Sequence, residues 1–267
     1  MLAVTDLTNY LYCKRQLYFR KVLGIREKPK PQTVHGSIRH KVFEICGRED
    51  QEIVLSITKD SSLEDVELKF RAVYYRCLKN VLKAYEKQIK KVGENSLKLF
   101  KEMWPDFLGE AKDKAKDIFD TAKEKEVYGE ELWESLPKAE PEIKLSSEVL
   151  GIRGIIDRID DGNVPVEIKT GRAPVEGIRK EHMVQVGAYM MMLSEKLDRD
   201  VNEGYVEYTQ VKELRKVVMN PFLRDEILEL IKKVRQLLTE SSLPEKVKDD
   251  WKCKYCGIKE ECFDRKA

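Results

Sequence analysis

Long apolar runs are missing from this sequence. None approaches the roughly 20 residues that span a bilayer, and no basic stretch leading into an apolar segment opens the chain. The expectation is a soluble, cytoplasmic protein with no membrane partner. Net charge is nearly missing as well: 50 lysines and arginines face 48 aspartates and glutamates, which leaves +2. Any surface for a polyanion must therefore be a local patch. Internal repeats and low-complexity tracts are absent, which excludes a solenoid. Charge of both signs, by contrast, is abundant at 37% of residues against about 25% in an average protein. That density resembles the ion-pair-rich surfaces of heat-adapted proteins. At 267 residues the chain can bury a sizeable core, as one large domain with an insertion or as two domains.

The period of the apolar residues divides the chain. Leu7, Tyr10 and Leu11 follow helical spacing after Thr5, a candidate N-cap, and Cys13 falls near that helix's end. A second helix is predicted over VHGSIRHKVFEIC. From Ser61 the stripe Leu63, Val66, Phe70, Val73, Cys77, Val81, Tyr85, Ile89 and Val92 recurs at steps of three or four, with Ser62 and Asp65 set for a capping box. A further stripe, Leu97, Phe100, Trp104, then Ala111, Ala115, Ile118 and Ala122, is expected to break at Pro105 and Gly109. After PKAEP the pattern turns to short β-branched runs. A helix is expected from about Ile178 to Lys196, strands over EGYVEYTQV and LRKVVM, and a last long helix from Pro221 to Thr239. This order suggests an α/β sheet wrapped by helices with a helical insertion between about residues 50 and 140.

The run GIIDRIDDGNVPVEIKTG holds a hairpin turn signal between two strands. If Asp161, Gly162 and Asn163 form the loop, Asp160 faces Val164 and Asp157 faces Glu167, with Cβ atoms about 4.5 to 5.5 Å apart. Lys169 then shares the face of Glu167. A two-residue turn would instead send the carboxylates to opposite faces. Two carboxylates so close repel unless a cation lies between them, and a hard divalent ion resolves the conflict. An adjoining lysine can orient water or steady charge on a phosphoryl oxygen. Taken alone, E-x-K is an ordinary pair on a charged strand, and a single histidine such as His40 is more often structural than a ligand. Gln185 and Tyr189 are four apart, hence on one helix face, and either can hydrogen-bond a phosphate or water.

Together the ordered set of a G-x3-H helix (Gly36 to His40), a G-x2-D strand (Gly154 to Asp157), the E-x-K strand (Glu167 to Lys169) and a Q-x3-Y helix (Gln185 to Tyr189) resembles the RecB-type branch of the PD-(D/E)xK nucleases. One cysteine before that set and three after it, in WKCKYCGIKEECFDRKA, resemble the iron-sulfur exonucleases of that branch, nearest to the CRISPR-associated exonuclease family Cas-four. The resemblance runs from about Thr5 to Cys262 apart from the helical insertion. It implies a RecB-like α/β core, a mixed central sheet flanked by helices, with an iron-sulfur module joining both termini. The implied organisation is N-terminal helices over 1–49, a helical insertion over 50–140, the nuclease core over 141–240 and a cluster segment over 241–267.

In that family four cysteines, here Cys13, Cys253, Cys256 and Cys262, hold a cluster, 4Fe-4S being favoured; four thiolates suit 2Fe-2S or tetrahedral zinc equally well. Such a cluster acts as a staple between distant parts of the chain. Cys46 and Cys77 fall in apolar stripes and are expected to be buried thiols. The resemblance further implies that His40, Asp157, Glu167 and the carbonyl of Ile168 bind Mn2+ or Mg2+, that Lys169 positions the attacking water, and that Gln185 and Tyr189 hold the substrate. The implied reaction is exonucleolytic hydrolysis of single-stranded DNA during CRISPR spacer acquisition, with the CRISPR integrase complex as partner. A RecB-like iron-sulfur repair nuclease carries the same motifs. A non-catalytic DNA-binding subunit is disfavoured by the intact Asp157, Glu167 and Lys169, and a zinc-ribbon protein by the remote Cys13. Non-specific strand binding is driven by phosphate charge and aromatic stacking, so the lysines and arginines near Tyr10, Tyr12 and Tyr18 are candidates for it. No motif specifies the oligomeric state.

Overall fold

The computed structural model describes residues 1–137, 139–161, 163–247, 250–254 and 256–264, with side chains left aside at 139–141 and 250–251. Its elements are β1 (Leu2–Ala3), α1 (Val4–Tyr12), α2 (Lys14–Lys21), α3 (Pro31–Leu55), α4 (Leu63–Ala84), α5 (Glu86–Lys91), α6 (Ser96–Lys125), α7 (Gly129–Ser135), β2 (Ala139–Ser147), β3 (Ile152–Asp160), β4 (Val164–Lys169), α8 (Lys180–Leu197), β5 (Glu203–Tyr208), β6 (Glu213–Val218), α9 (Pro221–Thr239), α10 (Asp250–Lys254) and α11 (Lys259–Asp264). Two compact units divide the chain: a sheet unit of Met1–Lys28 with Glu142–Ala267, and a helical unit of Pro29–Pro141. Each has its own hydrophobic core. Among the described residues no helix is long and apolar enough to cross a membrane.

The sheet unit contains the mixed sheet that the motifs implied. Its strands run β1-β3-β4-β5-β6, with β2 also paired to β3. β1 lies parallel to β3 and β4 parallel to β5, while β3–β4 and β5–β6 are antiparallel. The parallel step from β4 to β5 needs a crossover, and α8 supplies it. Ten consecutive residues of α8, Val184 to Leu193, are buried, so this helix is enclosed on all sides. Its apolar residues share a core with Leu7 of α1, Ile152 and Ile156 of β3, and Ile227 and Leu230 of α9. Gly187 permits the close approach of α9, since a Cβ there would fall 2.7 Å from Ile227 Cδ1. The first helix starts two residues earlier than Thr5 as N-cap suggests. Ala3 is already tied into the sheet through β3, and its N–H donates to Asp6 Oδ2 at 2.9 Å, so Asp6 rather than Thr5 caps the entry.

In the helical unit α4 packs on α3 and α6, and α3 on α7. The predicted capping box forms: the Asp65 N–H donates to Ser62 Oγ at 3.2 Å, and the Ser62 N–H donates to Asp65 Oδ2 at 3.0 Å. The break expected at Pro105 does not occur, because α6 runs unbroken through both Pro105 and Gly109. A proline inside a helix costs about 3 kcal/mol. Here Leu99, Met103, Phe107, Ala111 and Ala115 bury one face on both sides of it, and that packing outweighs the lost backbone hydrogen bond. Cys46 and Cys77 are buried, as their apolar stripes predicted. A boundary near residue 50 would fall inside α3, whose continuous turns carry His40 into the helical unit.

Candidate active site

The hairpin fixes the geometry. Asp160 pairs with Val164, Ile159 with Pro165 and Arg158 with Val166. The paired residues end there, one step short of Asp157 and Glu167, and all three pairs are those a three-residue loop predicted; the Asp157 and Glu167 side chains meet through a hydrogen bond. Asp161 takes a left-handed φ of 50° and the Asn163 N–H donates to Asp160 O at 3.2 Å, closing the turn. Gly162, the loop's middle residue, lies outside the described residues. The Ile168 N–H donates to Asp157 Oδ2 at 2.8 Å, so the two strands are joined at the carboxylate itself.

From there a chain of hydrogen bonds runs through the remaining motif residues. Lys169 Nζ donates to Glu167 Oε1 at 2.6 Å and to Gln185 Oε1 at 3.0 Å. Gln185 Nε2 donates to Tyr189 Oη at 3.0 Å, and Tyr189 Oη donates to the Ile155 carbonyl at 2.8 Å. The helical spacing of Gln185 and Tyr189 thus brings both onto the E-x-K strand. Both are buried, so they meet Lys169 and β3 rather than solvent. Gly154 makes room for this: a Cβ there would sit 2.7 Å from Tyr189 Cε1 and 3.1 Å from Val4 Cγ2.

Burial pushes the Asp157 carboxyl up to about 6. The Ile168 N–H, the Lys169 charge and the hydrogen bond with Glu167 pull the other way, and the charge of Glu142 adds to the rise. Tyr189 is held well above its ordinary value, first by burial and then by the Glu167 charge. Three residues here were not singled out from the sequence. Glu142, on the neighbouring β2, brings a third carboxylate. His182 Nδ1 lies 2.9 Å from Tyr208 Oη, and burial together with the Lys169 and Arg179 charges lowers its pKa to about 3, so the ring is neutral. His182 stands one turn before Gln185, and that spacing is the signal that would have found it. Tyr208 pairs with Lys169 across β4–β5.

His40 lies half-buried on α3, so it is not among the residues that the sheet unit itself assembles. Of the candidate stacking rings, Tyr18 is buried with its hydroxyl on the Glu240 carbonyl at 3.1 Å, which removes it from that role. Lys14 lies over Tyr10 and Lys252 over Tyr12, at 5.1 and 5.2 Å from the ring centres.

A second constellation in the sheet unit brings the four motif cysteines around one small cavity of about 30 Å³. Cys13 separates α1 from α2, and its sulfur accepts the Gln16 N–H at 3.4 Å. Arg15, fully buried, donates from Nε to Cys262 Sγ at 3.2 Å and from its two terminal nitrogens to the carbonyls of Pro244, at 2.6 Å, and Cys262, at 3.2 Å. Gln16 Nε2 approaches Cys256 Sγ at 3.8 Å. Burial raises the Cys13 thiol above its ordinary value. Among the described residues, no three His, Cys, Asp or Glu side chains close to metal-ligand spacing, so the cysteines surround a cavity without being drawn together on it.

Over 125 residues the chain is 32% identical to a CRISPR-associated exonuclease Cas4/endonuclease Cas1 fusion of Leptospira interrogans serogroup Icterohaemorrhagiae serovar Lai (strain 56601), which covers 44% of this chain and 23% of that protein. The chain thus matches about a quarter of that relative's length. Two solved structures match the chain: the crystal structure of SSO0001, 19% identical over 81% of this chain and 93% of that one with a TM-score of 0.32, and that of a candidate exonuclease from Eubacterium rectale, 11% identical over 79% and 77% with a TM-score of 0.37. The sequence pattern of the PD-(D/E)XK nuclease superfamily, a superfamily of hydrolases, matches residues 1–263, and the chain belongs to that superfamily.

Proposed function

We propose that this protein is a metal-dependent exonuclease on single-stranded DNA that trims DNA during CRISPR spacer acquisition in the cytoplasm. The observation that carries the nuclease reading is the continuous hydrogen-bonded line from Asp157 through Ile168, Glu167, Lys169 and Gln185 to Tyr189. The adaptation role is supported by the partial likeness to the Leptospira fusion protein, and with it the integrase as partner.

Opposed carboxylates at Asp157 and Glu167 suit Mn2+ or Mg2+, with His40 and the Ile168 carbonyl completing the donor set in this reading. When bound there, a divalent ion polarises the phosphodiester and acidifies water. Asp157 would hold such an ion as its carboxylate, a form that its burial disfavours. Lys169 has three N–H donors, and Glu167 and Gln185 take two of them. The third is left for the attacking water or a phosphoryl oxygen, where a fixed ammonium stabilises the charge that develops. Gln185 presents its oxygen to Lys169 because its nitrogen is held by Tyr189, whose own proton is committed to Ile155. Those two residues are positioning residues for Lys169 in this mechanism.

The cysteine cavity supports a four-thiolate group. Sulfurs receiving N–H donors from Arg15 and Gln16 suit the anionic thiolates of an iron-sulfur cluster, 4Fe-4S in the related exonucleases, and its contribution is to tie α2 to the segment after α9. The test is degradation of end-labelled single-stranded DNA with Mn2+ by anaerobically purified protein and its Lys169→Ala variant. Cleavage that disappears in a folded variant with unchanged visible absorbance supports the reading. A parent protein that binds the strand and cuts nothing under any divalent ion overturns it.

A further inference from the structure

Charge is unevenly distributed along this nearly neutral chain. Between Lys69 and Lys101 stand ten lysines and arginines and two glutamates, a surplus of eight in a chain whose total is +2. The remainder is therefore net acidic. That basic stretch is the second part of α4, all of α5 and the start of α6, within the helical unit. All ten basic side chains except Lys69 are exposed. Both glutamates are already engaged, Glu86 by Lys90 at 2.6 Å and Glu94 by Lys98 at 3.9 Å.

Aromatic rings sit inside the same patch. Tyr75 of α4, 47% exposed, meets Phe100 and Trp104 of α6 edge-on, both at 5.4 Å, and those two stack on each other at 5.8 Å. Each ring buttresses the others, so the block is rigid. Beside it a groove of about 410 Å³ opens, with Tyr75, Phe100 and the exposed Leu97 on its apolar wall and Lys79 and Lys83 at its edge. Lys79 has no ion-pair partner among the described residues.

Glu86 also lines the groove, but Lys90 neutralises it, which leaves an apolar surface framed by net positive charge; such a surface fits a ligand that is flat and apolar in one part and anionic in the next. Single-stranded nucleic acid has that repeat; in a duplex the ring faces are stacked away inside. An acidic amphipathic helix would meet the lysines as well, but its aliphatic side chains offer no flat face for Tyr75 and Phe100 to stack on. The groove volume lies within the range of ligand pockets, about 300 to 1,000 Å³. We propose that this groove on the helical unit binds single-stranded nucleic acid, with Tyr75 and Phe100 stacking on a base and Lys79 and Lys83 taking the flanking phosphates. The choice of a single strand as ligand rests on the nuclease reading above; the binding itself does not require cleavage.

The test uses the full chain with Lys169→Ala in EDTA, so that nothing is cut, and fluorescence anisotropy of labelled oligo-dT, an abasic strand of equal length and a duplex. Oligo-dT is expected to bind tighter than either. Tyr75→Ala should weaken oligo-dT about tenfold and leave the abasic strand unchanged, because stacking contributes about 1–3 kcal/mol per base. Lys79→Glu with Lys83→Glu, both exposed and therefore safe for folding, should reduce the slope of log affinity against log salt by at least about 1.4, roughly 0.7 per phosphate. Variants that bind oligo-dT like the parent, or an abasic strand that binds as well as oligo-dT, overturn the proposal. Cleavage by the Lys169-containing protein is measured alongside. A protein that cuts nothing yet binds oligo-dT through Tyr75 sinks the nuclease reading alone; one that cuts while Tyr75→Ala binds normally sinks only this one.

Discussion

Six of the seven buried polar or charged side chains among the described residues, Asp6, Arg15, Gln16, Ser147, Glu167 and Gln185, lie in the sheet unit, and the helical unit buries Glu44 alone. The helical unit's interior is otherwise mainly an apolar stack of Phe70, Leu78, Phe107 and their neighbours, with the Asp50 carboxyl, its pKa raised by burial and its charge paired with Lys114, at its margin. The contrast separates two uses of burial. Withdrawing a carboxylate from water costs stability and alters its chemistry, whereas withdrawing a phenyl ring stabilises and alters nothing else. The sheet unit therefore carries reactivity at the expense of stability, and the helical unit the reverse.

Substitutions in the two interiors should consequently act in opposite ways. Glu167→Gln is expected to lower single-strand cleavage on the order of 10²- to 10³-fold or more, the loss seen when one charge-stabilising group is removed, while the thermal midpoint of the metal-free protein holds or rises. A fall in midpoint as large as that of a core truncation would break the comparison. Phe107→Ala, which leaves Phe43 without its ring partner at 5.3 Å, should cost about 3–5 kcal/mol in denaturant unfolding. Its loss should fall on the helical unit, seen as earlier hydrogen exchange in α3, α4 and α6, with amide protection in β3 and β4 retained.

Titration sharpens the same contrast. Because the folded Asp157 carboxyl titrates at about 6 instead of 3.8, the metal-free fold binds its proton more tightly than the unfolded chain does. Its stabilising contribution is complete below 3.8 and is lost as pH rises through about 6. A divalent ion needs the deprotonated form, so the midpoint gained on adding Mn2+ should be larger at about pH 7.5 than at about pH 5. An equal gain at both would show that Asp157 is not a ligand. The smallest effect is expected at the helix cap, where Ser62→Ala should cost about 1 kcal/mol by chemical denaturation and leave cleavage untouched.

The hairpin was legible because strand pairing is counted from its turn: once Asp160 faces Val164, each step back along β3 matches one step forward along β4, and Arg158 meets Val166 with no knowledge of the remainder of the fold. Gln185 and Tyr189 were legible for the same reason, as four residues make one helical turn. Their partners were harder to place. Nothing local marks Glu142, which reaches the site only because β2 joins β3, and His182 meets Tyr208 only after α8 has crossed over to β5. The errors have one origin. Pro105, Thr5 and Tyr18 were each read from their immediate neighbours, and in each case contacts from farther along the chain decided otherwise: the packing of α6 on α4, the pairing of β1 with β3, and the Glu240 carbonyl.

Arg15 grips the carbonyls of Pro244 and Cys262, and Leu2 pairs with Ile152. During synthesis neither partner exists when the first helices leave the ribosome. At about 5–20 residues per second, α1 and α2 wait roughly 10 to 50 seconds before residue 262 is made. The helical unit, whose core residues all lie between residues 29 and 141, has its whole core made within that interval, well before the sheet unit has its last partners.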